Sequence, residues 1–319
     1  MPARSLAALG AVAALAAADE APSAGPHTID PSLLDRPFDG HGGLSAGASS
    51  RLLYDYEEPY RSDVLDYLYK PNWGAQLTIC KVEIGGDVQS TNGAEASHMH
   101  TSKDLNYHRG YEYWLMSEAK KRNPKVRTYV LSWGVPGWVG NGSYFSPANI
   151  HYQTSFVKGA RDVYNISVDY LGICAPAAIC APPRSPPPDD RRRAAGNERP
   201  WGNVEYVKSL RKSLDTAGLA STQLVGSDGG IPGDQIKALQ SDPAFAAAEH
   251  IQGTHYPCAR DQPPAFWEIV PKQTYWANED FSTIGGDWDG GSCWGRSLNQ
   301  NFVKLNATAT FNSRTAGGR

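Results

Sequence analysis

The chain has 319 residues, and its 30 Lys and Arg residues against 33 Asp and Glu residues give a formal net charge of −3. This balance argues against a nucleic-acid-binding protein, which normally carries a basic stripe. A hydrophobic fraction of 40 % excludes global disorder. The length accommodates one large α/β domain or two small ones. Nine Trp and 16 Tyr residues suit a sugar-binding cleft, although such rings more often pack inside a core.

Residues 1–18 predict a secretory signal peptide. An early Arg precedes the run 5–18, which is rich in Ala, Leu and Val, and small residues stand before Asp19 and Glu20. The other interpretation is an Ala-rich disordered start, and the run is too short to span a membrane. We therefore expect a secretory-pathway protein without a transmembrane segment, in which a segment at 19–36 precedes the first domain.

The sequons and the cysteines also give information on whether the chain enters the secretory pathway. Three Asn-X-Ser/Thr triplets predict N-glycosylation at Asn141, Asn165 and Asn306, although such triplets also occur by chance. The number of cysteines is odd, so at least one has no partner within the chain. They are Cys80, Cys174, Cys180, Cys258 and Cys293. Their spacing lacks Cys-x-x-Cys pairs, which argues against a structural zinc site.

Apolar runs rich in β-forming residues alternate with helix-like stretches along the chain. Near-continuous apolar runs are typical of parallel strands that are covered on both faces. The predicted strands are 77–84, 127–133, 167–173, 223–228, 250–256 and 273–279, and the predicted helices are 107–122, 203–217 and 232–239. This order indicates an α/β fold, and the number of units favours a (β/α)8 TIM barrel over an open sheet. The sequence shows no Gly-x-Gly-x-x-Gly motif after a strand and no phosphate loop, which argues against nucleotide chemistry.

Two segments do not fit the barrel pattern. Residues 174–196 are rich in Pro, Ala and Arg, a composition that forms neither a strand nor a helix. Near the C-terminus an apolar strand begins around Ala309 and is not completed, so that 311–319 looks like a divergent tail. We therefore expect the barrel, at 37–310, to be incomplete at its last strand and helix.

Two carboxylates stand where barrel enzymes place their chemistry. Glu198 follows Asn197, and Glu279 ends the predicted strand 273–279. Catalytic residues of TIM barrels lie at the C-terminal ends of strands. An exposed loop Glu is the usual interpretation of either residue alone. An Asn-Glu pair together with a later strand-end Glu is the arrangement of retaining glycosidases built on barrels.

Longer motifs make a family resemblance specific. The stretches that carry it are 38–45 (FDGHGGLS), 51–53, 59–62, 66–68, 81–87 (KVEIGGD), 95–100, 109–112, 118–124, 133–138, 197–199, 279–283 and 293–296 (CWGR). In this order they resemble the galactosylceramidases of glycoside hydrolase family 59, from about residue 37 to 310, interrupted by 174–196. The resemblance implies a catalytic barrel followed by β-sandwich and lectin-like domains, which we expect this chain to lack.

The resemblance also implies residue roles. It makes Glu198 the acid/base and Glu279 the nucleophile of a retaining β-galactosidase, whose carboxyl groups must lie ~5–5.5 Å apart. It makes Asn197 a partner of the sugar's 2-hydroxyl, Thr91 a sugar-hydroxyl donor and Trp133 a flat wall or N–H donor. Without the resemblance, Thr91 would be a loop residue and Trp133 a core residue.

His255 and Tyr256 end the strand before Glu279, so they are candidate donors to the nucleophile, with ordinary packing as the equal alternative. No metal site and no cofactor are expected, although His98, His100 and His108 lie close together in the sequence. The resemblance implies a galactosylated glycolipid substrate, a lysosomal or secreted location and, as an optional partner, a lipid-presenting activator protein. It also implies that the partner of Cys293 and a sugar-binding Arg lie further downstream than this chain extends.

Three functional hypotheses remain open at this stage. The first is a galactosylceramidase, the second an inactive barrel fragment that binds sugar weakly, and the third a retaining β-glycosidase for another aglycone. Residues 174–196 decide between the first two, because in the family the fourth strand runs directly into a Trp-Asn-Glu triplet. A floppy loop cannot hold a catalytic Glu as a strand end does. Our hypothesis is that this insert is an unspliced intron or gene-model error.

Overall fold

The computed structural model describes residues 30, 32–33, 36–90, 93–174, 204–229, 231, 233–255, 270, 272–280 and 288–312. From Pro37 onwards the chain belongs to one unit, and Met1–Arg36 form a separate one. Eight parallel strands close into a barrel in sequence order, each paired with its neighbours. The strands are β1 (Gly40–Ser45), β2 (Ile79–Glu83), β3 (Arg127–Leu131), β4 (Tyr170–Cys174), β5 (Gln223–Asp228), β6 (Ile251–His255), β7 (Thr274–Asp280) and β8 (Ala309–Asn312).

Helices follow the strands, which confirms the predicted (β/α)8 TIM barrel. In chain order they are α1 (Ser49–Tyr54), α2 (Tyr60–Tyr69), α3 (Glu112–Arg122), α4 (Pro147–Tyr164), α5 (Val204–Thr216), α6 (Gly233–Ser241), α7 (Pro243–Ala248) and α8 (Trp288–Val303), with a short 3-10 helix at Val139–Gly142. In the part of the chain that the structure describes, no helix has the length and hydropathy needed to cross a membrane.

Strands β2 to β7 lie within three residues of their predicted bounds, and nearly all of their residues are buried, as expected of strands that are covered on both faces. The helix predicted at 107–122 begins only at Glu112. The turn before it needs Gly110, whose φ of 82° favours glycine, and the Tyr111 N–H donates to Glu95 Oε1 at 2.7 Å instead of entering the helix. Helix α4, absent from the prediction, starts with Pro147 after Ser146, whose Oγ accepts the Asn149 N–H at 3.2 Å.

The last strand corrects the sequence-based expectation of an incomplete barrel, which is wrong. Strand β8 pairs with β7 through Trp276 and Ala309, and with β1 through Gly42 and Phe311. Phe311, which the sequence-based prediction places in a divergent tail, is fully buried in the barrel interior. A Cβ on Gly42 would lie 2.4 Å from the Phe311 ring, so the missing side chain makes room for it. Four residues therefore suffice to close the barrel, and 313–319 lie outside the described residues.

Aromatic rings fill much of the barrel interior. Trp276 meets the Tyr170 ring at 4.7 Å, the Phe311 ring at 5.6 Å and the Tyr129 ring at 6.3 Å between centroids. A second apolar layer separates the strands from the helices. Among the described residues, the interior also holds a fully buried cation, Lys81 on β2. A buried ammonium is costly without a partner, so its partner marks the site described next.

The cysteines agree with the odd count. Cys80 and Cys293 are free thiols, and the buried Tyr69 hydroxyl donates to Cys80 Sγ at 3.3 Å. Cys174, the last residue of β4, is disulfide-bonded to a cysteine outside the described residues. Because Cys174 is part of the strand, the insert after β4 starts at residue 175 rather than 174.

Candidate active site

The C-terminal ends of the strands meet at one mouth of the barrel, and four of them carry ionisable side chains. These are Glu83 on β2, Asp228 on β5, His255 on β6 and Glu279 on β7. Parallel strands in a closed barrel place such residues around one opening, where barrel enzymes hold their active sites.

Glu279 reaches this mouth through an irregularity in β7. Thr254 on β6 pairs with Ala277, but His255 pairs with Glu279, so that β7 holds one extra residue at Asn278. A bulge of this kind re-aims side chains. It places Glu279 Oε2 at 3.5 Å from His255 Nε2. The Glu279 side chain is 13 % exposed, whereas His255 is buried. A carboxylate at a strand end, bordered by an imidazole and still open on one side, can approach a ligand.

Asp228 is the centre of a buried hydrogen-bond network beneath Glu279. Its Oδ2 accepts from Lys81 Nζ at 2.7 Å, from the Tyr129 hydroxyl at 2.8 Å and from Asn278 Nδ2 at 3.1 Å. Its Oδ1 is hydrogen-bonded to His255 Nε2. Burial by itself raises the pKa of Asp228, but the Lys81 ammonium and His255 outweigh burial and bring this pKa well below its usual value. Asp228 is therefore ionised.

The oxygens and nitrogen of Asp228, His255 and Glu279 lie within 4.8 Å of one another, a spacing that a cation could bridge. Both Asp228 oxygens already accept hydrogen bonds, and the Lys81 ammonium supplies positive charge next to them. We therefore interpret the cluster as an internally compensated ion-pair and hydrogen-bond chain.

Glu83 also belongs to a cluster of three buried glutamates, together with Glu95 and Glu112. Glu83 Oε2 accepts from the Gly47 N–H at 2.6 Å and from Ser90 Oγ at 2.8 Å, which anchors the start of the loop that leads to residue 91. Burial raises the pKa of Glu83 to about 7. Burial, and then the neighbouring Glu95, raises the pKa of Glu112 well above its usual value. These groups hold protons at mildly acidic pH, so the cluster does not carry three full charges.

A comparison with models of protein families identifies the family to which this barrel belongs. The model described as glycosyl hydrolase family 59 matches residues 38–318. The chain belongs to glycosyl hydrolase family 59. This family match also covers the last strand, which the sequence-based prediction had left incomplete.

Curated relatives of this family-59 chain carry one name. The chain is 42 % identical over 291 residues to a protein named galactocerebrosidase from Danio rerio, with 89 % of this chain and 40 % of the relative covered. It is 41 % identical over 293 residues to the Homo sapiens galactocerebrosidase, with 90 % and 39 % covered. A putative galactocerebrosidase of Caenorhabditis elegans is 35 % identical over 277 residues, with 85 % and 38 % covered. The chain thus spans about 40 % of the length of these relatives.

Solved structures support the fold. The catalytic domain of a GH30 xylanase from Talaromyces cellulolyticus superposes with a TM-score of 0.64 at 15 % identity, covering 89 % of this chain and 70 % of that one. SrfJ from Salmonella typhimurium gives a TM-score of 0.65 at 15 % identity, covering 87 % and 65 %. At such identities the likeness concerns the barrel architecture alone.

The sequence-predicted site residues of this family-59 barrel divide into two groups. The structure describes Trp133, His255 and Glu279, and it places His255 Nε2 at 3.5 Å from Glu279 Oε2. Trp133 lies two residues after β3, is 3 % exposed, and its ring centroid is 5.4 Å from Lys81 Nζ. Its role towards a sugar stays a prediction. The other predicted residues, Thr91, Asn197, Glu198 and Tyr256, lie outside the described residues, so the separation of Glu198 and Glu279 is also a prediction.

Sequence reasoning missed Lys81, Tyr129, Asp228 and Asn278. A signal was present for two of them, because Asp228 ends a predicted strand and Lys81 is a charged residue between apolar neighbours in the middle of the predicted strand 77–84.

His98 is buried against the Tyr152 ring at 4.4 Å. His100 Nδ1 instead contacts Asp87 Oδ2 at 2.6 Å, and His108 Nδ1 lies 3.3 Å from the Tyr164 hydroxyl. Burial lowers the pKa of His98 to about 3, so this imidazole is neutral. Each of the three histidines thus packs against its own neighbours.

Proposed function

We propose that this chain is the catalytic barrel of a retaining β-galactosidase that hydrolyses the β-glycosidic bond of galactosylceramide-type glycolipids, a step of glycosphingolipid catabolism. The observation that carries the proposal is Glu279, a partly open carboxylate at the end of β7, 3.5 Å from the His255 imidazole at the barrel mouth. The names of the relatives supply the substrate class. A lysosomal or secreted location and a lipid-presenting activator protein belong to the same proposal.

In this mechanism Glu279 attacks the anomeric carbon of galactose and forms a covalent galactosyl-enzyme. Glu198, in its protonated form, gives its proton to the leaving glycosidic oxygen. The same residue then takes a proton from the water that hydrolyses the intermediate, so the β configuration is retained. The neutral Lys81–Asp228 pair contributes no net charge beneath the nucleophile, and Glu279 keeps its own negative charge for attack.

The remaining predicted residues bind the sugar. Asn197 donates to the 2-hydroxyl, a hydrogen bond that strengthens in the transition state. Thr91 donates to another hydroxyl, and Trp133 offers a ring face or its indole N–H. Ser90 is bonded to Glu83 Oε2 at 2.8 Å, so the residue next to Thr91 is fixed to the end of β2.

The test is hydrolysis of 4-nitrophenyl β-galactoside by the secreted chain, with Glu279→Gln as the decisive variant. Glu249→Gln is the matched control, because Glu249 is a buried glutamate that precedes β6 and so lies at the opposite end of the barrel. We expect Glu279→Gln to lose activity by more than about 1,000-fold, and Glu249→Gln to keep it. Undiminished turnover by Glu279→Gln contradicts the proposal.

Two further readouts separate the alternatives. Proton NMR of the first galactose released shows the β anomer if configuration is retained and the α anomer if it is inverted. Stabilisation of the chain by galactose without any hydrolysis instead favours a sugar-binding fragment. Activity on β-glucosides or β-xylosides but not β-galactosides favours a related glycosidase with another substrate.

A further inference from the structure

We infer that Asp228 and Lys81 act together as positioning residues: their buried pair orients His255 so that its Nε2–H lies between Asp228 and Glu279, and keeps the lysine charge away from the nucleophile. This inference rests on the proposed role of Glu279 as the nucleophile. Neither Asp228 nor Lys81 is placed in contact with the sugar.

The contacts of His255 determine which ring nitrogen carries a proton. Its Nε2 is hydrogen-bonded to Asp228 Oδ1 and lies 3.5 Å from Glu279 Oε2. Ionised carboxylates only accept hydrogen bonds, so a nitrogen that faces two of them must be the N–H donor. The backbone N–H of His255 also donates to the Gly229 carbonyl at 3.1 Å, which ties the end of β6 to the residue after Asp228. Asp228 therefore fixes both the tautomer and the direction of the imidazole.

Lys81 is held at a distance from the nucleophile by its own contacts. Its Nζ donates to Asp228 Oδ2 at 2.7 Å and to the Asn278 carbonyl at 2.9 Å, and it lies over the Tyr129 ring at 4.9 Å. Among the described residues, the carboxylate that pairs with Lys81 is Asp228. An ammonium bonded directly to Glu279 would stabilise its anion and weaken it as a nucleophile. Asp228 thus compensates the positive charge of Lys81.

The charges around this centre can be counted strand by strand. Lys81 comes from β2, the neutral Tyr129 from β3, Asp228 from β5, His255 from β6 and Glu279 from β7. The Tyr144 hydroxyl is a further neutral group near Asp228, and burial raises its pKa to about 12. Among the described residues, the charges of Lys81 and Asp228 cancel, so the pair adds no net charge next to Glu279.

A double-mutant cycle that removes the charges of Lys81 and Asp228 tests the inference. The quantity measured is the pH dependence of kcat/KM on 4-nitrophenyl β-galactoside. Asp228→Asn removes a negative charge and leaves Lys81 uncompensated, which favours ionised Glu279. The acidic limb therefore shifts to lower pH, by about one unit. Lys81→Met leaves Asp228 uncompensated, so the limb shifts to higher pH. The double variant Lys81→Met/Asp228→Asn is neutral again, and its limb returns towards that of the unmodified chain.

The size of kcat is expected to change differently from the pH position of the acidic limb. Each single variant loses kcat by roughly 10- to 100-fold because the imidazole is no longer held in place. A merely structural role of the pair predicts lower activity with an unmoved limb. Limbs that stay in place, or that move in the same direction in both single variants, overturn the inference. The double variant also guards against misfolding, because it buries no uncompensated charge.

Nitrogen-15 NMR of the His255 ring in the full chain, assigned with His255→Gln, gives an answer without catalysis. We expect the Nε2–H tautomer in the unmodified chain and its loss or exchange with the other tautomer in Asp228→Asn. An Nδ1–H tautomer in the unmodified chain overturns the inference. If the chain hydrolyses no β-galactoside, the proposed function fails, whereas the tautomer still decides the role of Asp228.

Discussion

His255 Nε2 lies 3.5 Å from Glu279 Oε2 and is at the same time hydrogen-bonded to Asp228. A nitrogen shared in this way gives its stronger bond to the nearer carboxylate and only a weak one to the other. The candidate nucleophile is therefore bordered by a donor without being neutralised by it.

Replacing His255 tests this relationship. His255→Gln keeps a polar side chain but cannot present the same N–H to both Asp228 and Glu279, so we expect kcat to fall by roughly 10- to 100-fold with a small change in KM. Steady-state kinetics on 4-nitrophenyl β-galactoside measure the two parameters. His108→Gln is the control, because His108 contacts Tyr164 on the outside of the barrel. An equal loss in both variants contradicts the role of His255.

The stability of the chain is expected to decline as pH rises from about 4.5 to 8. Burial raises the pKa of Glu249 from 4.5 to about 8 and that of Glu83 to about 7. In this window the native state keeps protons that the unfolded state releases, so the free energy of unfolding falls with increasing pH. Asp228 gives the opposite trend at low pH, because its lowered pKa stabilises the fold above 3.8 and that contribution is lost on acidification.

Glu249→Gln isolates one of these groups. Glu249 is fully buried, and its Oε1 accepts from Gln235 Nε2 at 2.8 Å, a bond that the amide oxygen of Gln can also accept. We expect little change at pH 4.5 and a stability gain on the order of 3 kcal/mol at pH 8. Urea unfolding at several pH values measures it. A profile as steep as that of the unmodified chain would show that Glu249 is not the titrating group.

Substitutions at Gly42 and Phe311 test whether β1 and β8 close the barrel. A Cβ on residue 42 would lie 2.4 Å from the Phe311 ring, so Gly42→Ala is expected to destabilise the chain by about 1–3 kcal/mol. The double variant Gly42→Ala/Phe311→Leu relieves the overlap and recovers part of that loss relative to Phe311→Leu alone. Thermal unfolding of the four proteins gives the coupling. Additive effects would mean that β1 and β8 do not meet as described.

The sequence predicted strands β2 to β7 from their apolar, β-forming residues, whereas it missed β1 and left β8 incomplete for identifiable reasons. Strand β1 is rich in glycine, and β8 has only four residues, of which Phe311 packs against Gly42 on the neighbouring β1. His255 and Glu279 were proposed as site residues from their positions at strand ends, without knowledge of their contacts.

The pairing of Lys81 with Asp228 was beyond sequence reasoning. It joins residues 147 positions apart and exists only because the barrel closes. The bulge at Asn278 likewise depends on how β7 pairs with β6. Local patterns specify elements, whereas these contacts arise from their three-dimensional assembly.

The three sequons are expected to be used unequally. Asn141 and Asn165 are exposed, and both have a positive φ. Asn306 is half-buried, and the hydroxyl of Thr308 in its triplet donates to Asp39 inside the fold. We expect glycans at Asn141 and Asn165 and low occupancy at Asn306. Endoglycosidase mobility shifts of the three Asn→Gln variants, expressed in a secretory host, measure this. Full occupancy at Asn306 would show that modification precedes burial of its triplet.

Removal of the insert gives the last prediction. Strand β4 ends at Cys174, and deletion of 175–196 joins this residue directly to Asn197 and Glu198, so Cys174 takes the position of the Trp in the family's triplet. A strand end holds a side chain far more firmly than a long loop. We therefore expect hydrolysis of 4-nitrophenyl β-galactoside to rise by at least about 10-fold on deletion.

The matched control is the same deletion with Glu198→Gln, which must lose the gain if Glu198 is the acid/base. A deletion that brings no increase, or an increase that survives Glu198→Gln, contradicts the placement of Glu198 at the end of β4. The deletion also removes Cys180, so thiol titration monitors Cys174 in parallel, since loss of its disulfide would be a separate cause of altered stability. Sequencing of the transcript addresses the origin of the insert, and a message that encodes 175–196 would defeat the gene-model explanation.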